Sequence, residues 1–157
     1  MAKLEKFEDL MAWQKARELS QAVYRATGEG GWSKDRRLTD QIQGASVAAM
    51  TCTAESFGRW DTNEALGLLS EALTAAMDVR MCLYVAYDAG YVDGKTFDEV
   101  RELAENASRA IGGWRGGVAK RRNGSRSNNR TSDRASGYGD DRQDDAREDR
   151  RASYQGR

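Results

Sequence analysis

Residues 61–90 read DTNEALGLLSEALTAAMDVRMCLYVAYDAG, and this stretch decides the fold. Within it Ala65, Leu69, Ala72, Ala76, Val79, Leu83 and Ala86 recur at spacings of 4, 3, 4, 3, 4 and 3. With about 3.6 residues per turn, that alternation collects every one of these side chains on a single stripe of an α-helix. Leu66, Leu73, Met77 and Tyr84 are expected to broaden the stripe. Asp61 and Glu64 form a capping-box-like pair at its start, and Gly90 suits a C-terminal stop.

The same alternation extends outward in both directions. Towards the C-terminus, Thr96 and Glu99 are expected to open a helix carrying Phe97, Val100, Ala104, Ala107, Ile111, Trp114 and Val118. Towards the N-terminus, Ser33 is the expected N-cap of a helix with Leu38, Ile42, Ala45, Ala49, Cys52 and Ser56 on its stripe, ended by Gly58. These are mostly small residues, so this helix should sit closest to its neighbours. A first helix spans about Phe7 to Thr27, with Ala12, Ala16, Leu19, Val23 and Ala26 as its stripe and Phe7, Leu10, Trp13 and Tyr24 beside it. Proline is absent, so nothing forces a break inside a helix. No segment alternates with period two. The pattern predicts an all-α fold, an antiparallel up-down-up-down four-helix bundle with short loops. Gly112, Gly113, Gly116 and Gly117 each cost the last helix about 1 kcal/mol relative to Ala. Either that end frays, or something packs closely against its backbone.

Composition changes sharply near residue 120. From Arg121 to Arg157 there is no Leu, Ile, Val, Phe, Met, Trp or Cys. Such a segment lacks the apolar surface to offset the entropy of ordering it. The expected organisation is a bundle over 1–120 and a disordered, Arg-rich tail over 121–157. The formal net charge of zero hides an asymmetry, because residues 121–134 hold five Arg against one Asp.

Several chemistries are missing from the sequence. There is no histidine, which removes the commonest general base and metal ligand. Cys52 and Cys82 are isolated and read as free thiols inside helices. The glycines around Trp114 lack the spacing and the preceding strand of a phosphate loop. No run of about 18 apolar residues and no signal-like start is present, so no membrane partner and a cytoplasmic location are expected. The expectation is a protein that is not an enzyme and uses no metal or cofactor.

Taken in order, several segments resemble a known family. Phe7-Glu8-Asp9-Leu10-Met11-Ala12-Trp13-Gln14-Lys15-Ala16 resembles the opening of the bacterial four-helix-bundle proteins encoded in intervening sequences of 23S ribosomal RNA genes. Leu38 to Ile42, Ala54-Glu55-Ser56-Phe57-Gly58-Arg59 and the Ala89-Gly90-Tyr91-Val92 close of helix 3 are similar to that family in turn. Arg109-Ala110-Ile111-Gly112-Gly113-Trp114 resembles the helix 4 ending of Avd, the accessory variability determinant of diversity-generating retroelements, which shares the bundle. The resemblance implies a homopentamer that binds RNA and a reverse transcriptase. The other reading it leaves is an intervening-sequence type acting as a structural or protein-docking oligomer without a retroelement role. The chain departs from the family where two adjacent arginines are usual, at Gln43 and Gly44, and where Arg80 replaces an acid. If those arginines contact nucleic acid in relatives, this chain binds differently. If they pair with helix 3 acids, the two changes offset each other.

Phosphate neutralisation dominates nucleic-acid affinity, so cations are the candidates for binding. They are Lys34, Arg36 and Arg37, then Arg109 and Arg115, then Lys120, Arg121, Arg122, Arg126, Arg130 and Arg134. For the first three an ordinary solvated face is the preferred reading. Trp32 and Trp60 fall in expected loops and are candidates for an oligomer interface, or for caps on the bundle ends. Trp13 and Trp114 are expected to flank the core.

Overall fold

The computed structural model of the chain describes residues 3–135, with side chains as far as Arg126. It is all-α, with helices α1 (Met11–Thr27), α2 (Arg36–Phe57), α3 (Thr62–Asp88) and α4 (Gly94–Ala135). No strand occurs among the described residues. Short 3-10 turns at Phe7–Asp9 and Gly30–Lys34 precede α1 and α2. The expected first helix therefore begins later than Phe7, after an extended Leu10.

Three polar contacts index α3 against α4. Arg80 meets Glu105 at 3.5 Å, Ser70 meets Arg115 at 3.0 Å and Asn63 meets Arg122 at 3.1 Å. Each step along α4 is matched by an equal step back along α3, which makes the pair antiparallel. On the other side of the bundle, Gln43 Nε2 donates to Thr27 Oγ1 at 2.9 Å and Ser46 Oγ donates to Ser20 Oγ at 3.3 Å. As α1 runs back, α2 runs forward.

The stripes read from the sequence form the core. All seven residues of the α3 stripe are buried. At one end Leu19, Val23, Leu38, Ile42, Leu83 and Val100 pack around Trp32. At the other, Ala12, Leu66, Leu69, Ile111 and Val118 pack together. Between them lies a waist of Ala16, Ala49 and Ala75, where small side chains allow a close approach of helices. Buried hydroxyls are satisfied locally: Thr27, Thr53 and Ser56 donate to the carbonyls of Val23, Ala49 and Thr53 at 2.7–2.9 Å.

Several local expectations are corrected. The N-cap of α2 is Asp35, whose Oδ1 accepts from Leu38 N–H at 3.0 Å, and Ser33 lies within the preceding 3-10 turn. Asp93, not Thr96, caps α4: its Oδ1 accepts from Thr96 N–H at 2.7 Å, and this bond holds its carboxyl below the usual aspartate range. Asp61 caps α3 as expected, accepting from Asn63 and Glu64 N–H. Met77 and Tyr84 do not broaden the α3 stripe but face outward, as does Tyr24 on α1. On α2 it is Thr53 that is buried, with Cys52 only half-buried.

The glycine-rich part of α4 is regular helix, and among the described residues nothing beyond the helix's own adjacent backbone lies within 4 Å of a Cβ built on Gly112, Gly113, Gly116 or Gly117. The compact body closes at Gly124. Residues 121–135, expected in the tail, are helical. Arginine is a good helix former, and cations in the last turns are favoured by the helix dipole. The remainder of the expected tail, 136–157, lies outside the described residues.

Candidate nucleic-acid interface

From residue 106 to residue 132 the chain holds seven basic residues and no acid. All of that stretch lies on α4. Arg115 Nε donates to Ser70 Oγ and Arg122 Nη1 to Asn63 Oδ1, so both guanidiniums turn towards α3 and find neutral partners there. Arg122 Nε is shielded from water and has no partner. Arg121 lies over the Trp114 ring, 5.0 Å from its centroid, an arrangement that orients a guanidinium without neutralising it. Lys120, Arg121 and Arg126 are exposed, as is Arg109, which donates to Asn106. None of these six cations pairs with an acid among the described residues. Arg130 and Arg134 lie on α4, and their side chains are outside the described residues.

The other three candidate cations are not brought to this region. Lys34, Arg36 and Arg37 are exposed where α2 begins. The 22 residues of α2 separate them from the Phe57 end by about 33 Å. Arg36 is 3.9 Å from Asp40, which partly offsets its charge.

The two loop tryptophans have opposite fates. Trp32 is buried with 1% exposure and belongs to the main core, so it offers no surface to a second copy and is not an interface residue. Gly30, at φ +66°, and Gly31 bring the turn against Tyr91, whose ring centroid is 6.2 Å from that of Trp32. Trp32 therefore closes the bundle end. Trp60 is fully exposed in the loop between α2 and α3.

Spacing alone did not reveal a cleft of about 210 Å³ at the α2–α3 end, lined by Phe57, Arg59, Thr62, Trp114 and Arg121 among others. Arg59 is held loosely, 3.9 Å from Glu55 and 3.8 Å from Glu64. The Gly58-Arg59 pair that closes the family-like helix 2 segment was the available signal, but it carried no role.

Elsewhere the chemistry is quiet. Burial, with Glu71 and then Glu55 adding to it, pushes the Cys52 thiol up, and burial pushes Cys82 up, so neither is poised as a thiolate nucleophile. Among the described residues no group of three His, Cys, Asp or Glu could hold a metal ion. No described helix is long and apolar enough to cross a membrane.

A family model described as 23S rRNA-intervening sequence protein matches residues 8–113. No curated protein matches the chain. A crystal structure of a protein of unknown function from the S23 ribosomal protein family of Bacteroides thetaiotaomicron superimposes with a TM-score of 0.59 at 12% identity. That match covers 64% of this chain and 94% of the other. At this identity the likeness is one of fold. The family match takes in α1, α2, α3 and α4 as far as Gly113, leaving Arg115 and the cations beyond it as an extension. With two thirds of its length inside that match and the bundle to go with it, the chain belongs to the 23S rRNA-intervening sequence protein family.

Proposed function

We propose that the chain is a non-enzymatic, oligomeric accessory protein that binds RNA through the basic half of α4 and serves a reverse transcriptase of a diversity-generating retroelement. The observation that carries the RNA reading is the acid-free run of seven basic residues between positions 106 and 132 on one helix. Cations spaced along a helix displace counterions from a phosphate backbone. The retroelement role rests on the likeness of Arg109 to Trp114 to the Avd ending. Assembly is supported by the row Met77, Met81, Tyr84 and Val85 on α3, each 45–61% exposed.

That apolar row also favours a second reading, a structural or protein-docking oligomer of the intervening-sequence type with no RNA role. Retention of single-stranded RNA separates the two. The full chain should retain it, and a variant with Arg121, Arg122, Arg126 and Arg130 changed to Gln should lose most of that retention. Equal retention by both would overturn the assignment to α4. A monomer by mass measurement at micromolar concentration would overturn the oligomer. A reverse-transcriptase gene beside this one, with a nearby repeat pair, is the expected genomic setting.

A further inference from the structure

We infer that the cleft between the α2–α3 loop and α4 holds one unstacked base of a single-stranded RNA, an inference that rests on the RNA reading above. At about 210 Å³ the cleft is smaller than the ~300–1,000 Å³ of sites for drug-sized ligands, so it suits a single ring system. Its walls include two aromatic residues, Phe57 and Trp114. Rings of this kind are the usual platforms for splayed bases, because every base has a π-face.

The polar lining is rich in donors. Arg59 and Arg121 contribute guanidiniums and Thr62 a hydroxyl, and no carboxylate lines the cleft. The indole Nε1 of Trp114 is shielded from water, so the donors offered to the cleft are those of Arg59, Arg121 and Thr62. Donors on a ring-sized cleft complement the carbonyl oxygens of a base such as uracil, and the guanidiniums complement its flanking phosphates. Arg59 is free to turn to that task, since its two acidic partners are at 3.8–3.9 Å and its side chain is 46% exposed. Arg121 belongs to the acid-free run, so the cleft is continuous with the cationic helix.

The test compares two probes on the full chain by fluorescence anisotropy: a ten-residue oligouridylate and an abasic ribose-phosphate oligomer of equal length. The oligouridylate should bind at least about fivefold more tightly, the lower end of what one stacked base contributes. Trp114→Leu should remove that difference while leaving the salt dependence of binding unchanged. Equal affinity of the unaltered chain for both probes, with salt dependence retained, overturns the cleft and leaves the cationic helix standing. A Trp114→Leu chain that still discriminates also overturns it. Binding of neither probe overturns the cleft and the RNA reading together.

Discussion

Arg80 on α3 and Glu105 on α4 stand 3.5 Å apart, the first of three contacts that run antiparallel down the two helices. Arg80 occupies a position where the family resemblance places an acid, and its partner lies on α4. Gln43, where the resemblance places an arginine, reaches Thr27 on α1. Gln43 and Arg80 have thus each found a polar contact of their own, on α1 and α4 respectively, while Gly44 has no side chain to pair. With side chains 38% and 42% exposed, the Arg80–Glu105 pair should couple by less than about 1 kcal/mol in a double-mutant cycle of Arg80→Met and Glu105→Gln. The buried Arg80 Nε has no partner, so Arg80→Met should be close to neutral. Urea unfolding of the four proteins measures this.

The buried and exposed tryptophans should respond very differently to truncation. Trp32→Ala empties the closed bundle end and should cost about 3–5 kcal/mol. Trp60→Ala should change monomer stability by less than about 0.5 kcal/mol. Gly30→Ala places a Cβ 2.6 Å from the Tyr91 carbonyl oxygen at a φ of +66°, and should destabilise by more than about 1 kcal/mol. Thermal and urea unfolding give all three values.

Glycines within α4 should be improvable. Gly113, Gly116 and Gly117 are exposed helical positions with open space around a new Cβ. Alanine at each should raise stability by about 0.5–1 kcal/mol, read from the urea midpoint. A loss instead would mean that a neighbouring molecule occupies that face in solution.

Asp93 ties stability to acid pH. Its carboxyl is held below its ordinary value by the backbone N–H of Thr96. A group depressed in the folded state contributes stability above its unfolded pKa and loses it as pH falls through the folded value. Asp93→Ala should lower stability at neutral pH and flatten this part of the acid response, whereas Asp93→Asn keeps an acceptor at the cap and loses less. Unfolding midpoints between pH 7 and pH 2 test the sign.

The fold was legible because helix stripes are periodic: each α3 stripe residue lies in the core. Caps were legible only in part. Ser33 and Thr96 suit a cap by residue type, but Asp35 and Asp93 stand where the backbone turns into the helix. The sequence leaves Trp32 open between an end cap and an interface, because its burial depends on Tyr91, about 60 residues away, meeting two glycines, and no local spacing encodes that. Met77 and Tyr84 adjoin the stripe by spacing yet stay exposed, since a bundle helix buries one stripe and leaves the opposite face to solvent. The cations were legible one by one. Their division between two ends of the bundle, and the cleft that Arg59 and Arg121 share, follow from helix length and antiparallel packing.

The salt dependence of RNA binding by the full chain tests the central claim most directly. If four α4 arginines each release a counterion from a single strand, log affinity against log salt should fall with a slope of about −3. A flat line, with the chain folded and the RNA intact, would contradict it.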